Sequence, residues 1–326
     1  MPAPLIVLPR PGTAHCGETP QPISAPSEAA FVSTFGNLLP PASYLQTPHG
    51  RAAYYELQPS SAPADDSPIS RVLFVHGVQT PAIGLQPLAS ALSSQFPRAH
   101  CVLVDLWGHG LSETPVVAHD AALFHALLEA VMAQLGWHDA HFVGYSFGGS
   151  TTATFAAAHP ERVASMVLVA PAGLVRAELF DEMQKGYLRG GAGVEEEAHE
   201  WVLQWLEGGA LVVPGDWKER VARGEVVAEA VRDWQLREHP GHWASVVGIV
   251  RDGGVFDRQA AFAEAAEKGV ECLCILGETD DLCSVQDLHA VGMRRVAVVP
   301  QVGHAVVRQR VPEVARLVGD FWSGLW

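Results

Sequence analysis

Only 17% of the 326 residues are charged, and bases are the scarcer sign: 21 Lys and Arg against 36 Asp and Glu, a formal net charge of −15. So low a charge content argues against a disordered chain or a long coiled coil. With no Lys/Arg cluster to override the acidity, sequence-independent binding to nucleic acid or to an anionic membrane is disfavoured. No run of about eighteen apolar residues occurs, so no membrane span is expected. The N-terminal stretch lacks the basic start and longer apolar core of a signal peptide, and a soluble, cytoplasmic protein is the expectation. Cysteines are few and odd in number, scattered at Cys16, Cys101, Cys272, Cys274 and Cys283. That argues against a disulfide framework and fits a reducing compartment. Cys272 and Cys274 lie two apart in a strand-like run, so they point along one face. No second Cys/His pair completes a zinc set, and both read as buried small hydrophobes. His239 and His242 are separated by Pro-Gly, which breaks a helix, and no third ligand is near; no metal or cofactor is expected. Neither G-x-G-x-x-G nor G-x-x-x-x-G-K-[ST] follows the first strand, so a nucleotide-binding reading lacks its motif. No internal repeat or low-complexity tract is visible.

What is present is apolar. Hydrophobic residues make up 48% of the chain, enough for one large domain or two ordinary ones with a sizeable core. Residues 1–50 are proline-rich without clear periodicity and read as an irregular N-terminal arm. Residues 71–77, 100–110, 140–146, 163–171, 271–278 and 294–301 are short, almost wholly apolar runs of strand type. Stretches of helical spacing separate them, the clearest being residues 121–136 and 312–322. Strands apolar throughout and alternating with helices predict an α/β protein with a mostly parallel sheet covered on both faces. Residues 173–255 break this rhythm. They are rich in helix formers, glycine and tryptophan, and read as an insertion between two core segments, 51–172 and 256–326. The glycines and Glu195–Glu197 read as a mobile hinge leading into a solvated helix end.

The run "HFVGYSFGGSTTATFAAAHP" (141–160) carries the strongest chemical signal. Ser146 stands in G-x-S-x-G between a strand and a helix. A serine hydroxyl is a weak nucleophile until a base takes its proton, and a sharp strand-to-helix turn both exposes it and demands small neighbours. The plain alternative is a serine in a glycine-rich turn. Acyl transfer also needs two backbone N–H groups for an oxyanion. One would come from Phe147, the residue after the nucleophile, the other from Val78, just after the strand that ends at His76-Gly77. The His76 side chain itself, and Asp105 and His109 in "DLWGHGLS", read as turn architecture. Later in the chain, Asp280 or Asp281 lies past one strand end and His304 past the last. In the order Ser, acid, His, a carboxylate there would hold the imidazole in its working tautomer. One Asp of the pair could equally cap the following helix.

Taken together, "HGVQTP", "DLWGHGLS", "GYSFGG", "GETDD" and "VGHAVV" resemble the α/β-hydrolase superfamily, over residues 70–171 and 271–325. The resemblance implies an eight-stranded, mostly parallel sheet with helices on both faces and a helical cap (lid) inserted after the sixth strand. It implies Ser146 as nucleophile, His304 as base and Asp280 as acid, with Gly277 three residues ahead of Asp280 selecting it over Asp281. It implies Val78 and Phe147 as oxyanion donors. The proline-rich arm and the sequence of the inserted segment depart from the superfamily's pattern. Gln79, Tyr145, Trp201 and Trp205 are candidates for a substrate pocket, although most of the insertion's five tryptophans (Trp201, Trp205, Trp217, Trp234 and Trp243) are expected to form its own core or its packing onto the sheet.

The reading is a serine hydrolase acting on an ester, thioester or lactone of a small, largely apolar molecule, as a monomer or homodimer. Its alternatives are a C–C bond hydrolase or acyltransferase on the same triad, and a non-catalytic binder on the same scaffold. A dehalogenase or epoxide hydrolase would carry Asp where this chain has Ser146.

Overall fold

The computed structural model describes residues 5–13, 20–61 and 69–325. The expectation placed on Cys16 lies outside the described residues. Eight strands form one sheet: β1 Ser43–Thr47, β2 Gly50–Leu57, β3 Arg71–Val75, β4 His100–Val104, β5 Ala140–Tyr145, β6 Val163–Val169, β7 Cys272–Gly277 and β8 Val296–Val299. Their spatial order is β1-β2-β4-β3-β5-β6-β7-β8. The β1–β2 and β2–β4 pairs are antiparallel and every later pair is parallel. β5 is buried along its whole length and β3 at all but its first residue. That is why both read as unbroken apolar runs: a central parallel strand has no face in water.

Helices α1 Glu28–Phe35, α2 Gln86–Gln95, α3 Ala121–Gln134 and α4 Phe147–Ala158 precede the sixth crossover. Between β6 and β7 run α5 Glu182–Arg189, α6 Glu195–Glu207, α7 Trp217–Ala222, α8 Ala228–Glu238 and α9 His242–Gly248. A π-helical turn over Ile249–Gly253 follows, then α10 Gln259–Glu267. Helices α11 Val285–Ala290, α12 Val306–Gln309 and α13 Val311–Ser323 complete the chain. Two buried clusters fill the two sides of the sheet. Phe124, Phe142, Phe147 and Phe155 belong to one; Phe74, Leu88, Val314 and Trp322 to the other.

The arm is more regular than its prolines suggest. Ser27 caps α1 by accepting from the Ala30 N–H, and Phe31 and Phe35 are buried. Their partners explain the helix: both rings meet Trp234 edge-on, at 5.4 and 5.8 Å, and Phe35 also meets Trp217 at 6.2 Å. The arm therefore packs on α7 and α8. β1 escaped notice because it is an edge strand, only half-buried, with no apolar run to mark it. Cys101, Cys272, Cys274 and Cys283 are free thiols, and the sulfurs of Cys272 and Cys274 lie 3.8 Å apart on one face of β7. Among the described residues, no helix is long and apolar enough to cross a membrane.

Candidate active site

All the elements that carry chemistry end at the carboxyl edge of the parallel strands, where an open α/β sheet binds its ligands. Ser146 follows β5 directly and precedes the first residue of α4. Its backbone stands at φ 55°, ψ −119°, a conformation that strains any residue with a Cβ. The chain holds it there with four bonds. Its N–H donates to Val169 O at 3.0 Å, and its carbonyl accepts from Gly149, Ser150 and Ala172 at 2.9, 3.2 and 2.9 Å. The flanking glycines are steric requirements. A Cβ on Gly148 would collide with the Val75 and His76 carbonyls, and one on Gly144 with the Gly148 carbonyl and the Thr152 hydroxyl. Gly77 plays the same part in the loop after β3, where a Cβ would lie 2.8 Å from the Ser146 Cβ. The absence of that carbon lets the loop carrying Val78 pass against the elbow.

The Ser146 Oγ lies 2.9 Å from His304 Nε2. On the other side of the ring, His304 Nδ1 lies 3.1 and 3.3 Å from the two Asp280 oxygens. Asp280 has 0% of its side chain exposed and His304 29%. The Leu282 N–H also donates to Asp280 Oδ1 at 3.0 Å. An acceptor-only carboxylate under Nδ1 fixes the ring proton there and leaves Nε2 facing the serine. Asp281 is exposed at the cavity rim, away from this chain of bonds. The Tyr145 hydroxyl donates to the His304 carbonyl at 3.2 Å, and its ring lies 5.3 Å from the imidazole.

Phe147 N–H is the first of α4, where no carbonyl of the helix can accept it. Val78 precedes Gln79, whose φ of 69° is the second strained point of the site. Thr80 N–H reaches back to Val78 O at 2.9 Å, closing a tight turn around Gln79. His109 accepts the Gln79 N–H through Nε2 at 3.1 Å and donates through Nδ1 to Trp107 O at 3.0 Å. His76 accepts the Leu106 N–H through Nε2 at 2.9 Å and donates through Nδ1 to Gly77 O at 2.6 Å. Both rings are neutral members of the turn architecture. Burial lowers His76 to about 4 and His109 well below its ordinary value, neighbouring His242 adding to the second shift. Asp105 ties the same turns, accepting from Tyr55 Oη, Ala82 N and Leu111 N at 2.8, 2.9 and 2.9 Å; burial raises it to about 6.

A cavity of about 400 Å³ opens over Ser146. Val78, Gln79, Tyr145 and Trp205 line it; Trp201 does not. The Trp201 ring instead stacks on Trp205 at 6.2 Å and meets Phe180 and Tyr187; the two share one face of α6 a turn apart along its axis, and only Trp205 reaches the cavity. Three charged wall residues were not anticipated: Glu207, Arg232 and Arg308. Arg232 Nε lies 3.2 Å from Glu207 Oε1, close enough for an ion pair but misaligned for a hydrogen bond. Burial raises the Glu207 carboxyl, against the pull of Arg232. The Arg308 guanidinium lies 5.4 Å from the Tyr145 ring centroid, and among the described residues no carboxylate comes within 4.0 Å of it. A second, apolar cavity of about 210 Å³ shares Gln79 and Glu207 with the first and extends to Leu203, Leu236 and Trp243. His239 Nε2 donates to Ser112 O and His242 Nδ1 to Gly108 O.

Strand order, register and the site at the strand ends define an α/β-hydrolase fold. Residues 71–204 match the family model described as alpha/beta hydrolase fold. A Bacillus subtilis protein with the provisional name 2-succinyl-6-hydroxy-2,4-cyclohexadiene-1-carboxylate synthase is 24% identical over 274 residues, 81% of this chain and 95% of the relative. The 2-hydroxy-6-oxo-6-phenylhexa-2,4-dienoate hydrolase of Comamonas testosteroni is 38% identical over a shorter stretch of 74 residues, 22% of this chain and 26% of the relative. Among solved structures, the enol-lactonase of Burkholderia xenovorans LB400 superposes with a TM-score of 0.62 at 19% identity, covering 86% of this chain and 100% of that one. The chain is thus a protein of the α/β-hydrolase fold, similar in sequence to hydrolases of that superfamily.

Proposed function

We propose that this protein is a serine hydrolase that cleaves a small ester, thioester or lactone through an acyl-enzyme. The observation that carries the reading is the bonded chain from Ser146 Oγ to His304 Nε2 and from His304 Nδ1 to Asp280. Ser146 Oγ attacks the carbonyl carbon while its proton passes to His304 Nε2, and Asp280 stabilises the imidazolium. The carbonyl oxygen, now negative, takes the Val78 and Phe147 N–H groups. The carbon–oxygen (or carbon–sulfur) bond breaks as His304 returns the proton to the leaving group. Water then attacks the acyl-serine, with His304 again as base, releasing the acid and free Ser146. The inserted helices, residues 173–255, serve as the cap that closes this cavity. The medium is the cytoplasm and the partner a small molecule.

A second reading is favoured by one observation: the Arg308 guanidinium lies in the cavity wall with no carboxylate within 4.0 Å of it among the described residues. A substrate bearing a carboxylate would suit it, and the Comamonas relative is named for a dienoate. C–C bond hydrolysis of a carboxylate-bearing ketone on the same triad is therefore the alternative.

A fluorophosphonate probe with chromogenic short-chain esters tests the first reading. Labelling of the folded protein at Ser146, and at least about a thousandfold loss of turnover in Ser146→Ala, is expected. Undiminished turnover in that variant excludes it. A carboxylate-bearing dienone, offered beside neutral esters, separates the two readings by which is turned over faster.

A further inference from the structure

We infer that Gln235, on α8 of the inserted helices, is a positioning residue for the oxyanion N–H of Val78, so that the anion site is set only while those helices are seated on the sheet. The inference rests on the proposed role of Val78. Gln79 is held at positive φ next to that residue, and a strained turn persists only where its surroundings over-determine it. Two groups do so here. His109, from the loop after β4, accepts the Gln79 N–H at 3.1 Å. The Gln235 amide donates to the Gln79 carbonyl, while its Oε1 accepts the Gly110 N–H at 2.8 Å.

Both ends of the Gln235 amide are therefore used, and the two bonds fix which way it points. The side chain is fully buried, where an amide with no partners would be destabilising and an apolar residue would fill the same space. Its partners are backbone groups of two different turns, the one carrying the oxyanion N–H and the one after β4. A residue 156 positions away in sequence thus pins the loop after β3 to the loop after β4. If the Gln79 peptide relaxes towards an ordinary turn, the Val78 peptide plane rotates with it and its N–H leaves the line to the carbonyl oxygen. Donor aim at the developing charge decides the rate more than substrate affinity does.

The test uses the full chain and the ester that gives measurable turnover in the wild type but none in Ser146→Ala. That control separates failure of this inference from failure of the hydrolase reading. Gln235→Leu keeps the volume and removes both bonds. Its kcat is expected to fall about tenfold to a hundredfold with KM within about twofold, and inhibition by a trifluoromethyl ketone is expected to weaken by the same factor as kcat/KM. Gln235→Glu adds a readout that loss of packing would not move. A carboxylate still accepts from Gly110 but cannot donate to the Gln79 carbonyl; a protonated carboxyl does both. The ratio of variant to wild-type kcat is expected to rise as pH falls for Q235E and to stay flat for Q235L. Unchanged kcat in Q235L, a raised KM with kcat intact, or a pH-independent ratio for Q235E overturns the inference. Should one variant fail to fold, the other carries the test.

Discussion

Asp280 and Asp281 are neighbours with opposite environments. Asp280 is sealed against His304 and receives the Leu282 N–H; its neighbour stands in solvent at the rim. On the proposed mechanism, Asp280→Asn presents an amide that can donate towards Nδ1 and thereby turns the imidazole to the wrong tautomer. Its kcat is expected to fall by about 10³ or more, while Asp281→Asn stays within a few fold of wild type. Steady-state rates on one ester decide it, and equal losses in both variants would remove Asp280 from its assigned place. The carboxyl–imidazole–hydroxyl order was legible because each residue follows a strand end. Which of two adjacent aspartates turns inward was read only through the resemblance, from the spacing to Gly277; in the structure the tight turn after β7, closed by the Asp280 N–H on Gly277 O, turns Asp280 to His304.

At the scale of elements, the turn from β5 to α4 is a contact between backbones. The Gly148 Cα faces the Val75 and His76 carbonyls at the end of β3, and those carbonyls belong to a central strand that cannot move aside. Gly148→Ala is therefore expected to be destabilised by about 2 kcal/mol or more, or to be recovered only as insoluble protein, with activity lost in any folded fraction. Chemical denaturation is the measurement, and a midpoint equal to wild type would show that the elbow can open without strain. The elements that escaped the sequence reading are instructive in the same terms. β1 has no apolar run because it is an edge. The residues of α1 acquire their pattern only from the aromatic rings of α7 and α8 that they meet, more than 180 residues away in the chain. Trp205 and Trp201 were indistinguishable until α6 was placed, since four residues apart they share one helix face and only their position along the axis decides which reaches the cavity.

The whole molecule carries a set of buried neutral histidines whose titration gives it a direction of pH sensitivity. His76, His109, His242 and His239 form a chain of rings, with centroids 5.1, 4.7 and 6.1 Å apart in that order, running from beneath the loop that carries Val78 to the turn between α8 and α9. Burial lowers His76, His119 and His239 to about 4 and His242 to about 3, from an unfolded value of 6.5. The unfolded chain therefore takes up protons before the native one. The stability these groups contribute is present above about pH 6.5 and is lost as pH falls from there through about 4. Asp105, raised by burial from 3.8 to about 6, has the opposite sign, being relieved as pH falls. Four histidines outweigh the two raised carboxyls, Asp105 and Glu207, and each histidine contributes a slope of about 1.4 kcal/mol per pH unit within its window. Urea midpoints are expected to drop steadily from pH 7 to pH 5. A flat profile would mean that these rings bind protons equally in the native and unfolded states.

Local chemistry along the chain decides a good deal of this protein. Strand ends and G-x-S-x-G are short-range patterns, and the backbone of each such segment has few ways to answer them. Long-range contact decides the rest. Gln235 meets Gln79, Arg308 lies over Tyr145 and α1 lies against Trp234 through bonds and packing between segments with no shared motif. Such pairs form because the sheet order brings loops from separate crossovers to one edge, and a buried amide or a ring must then find its partner among whatever groups the fold has placed beside it.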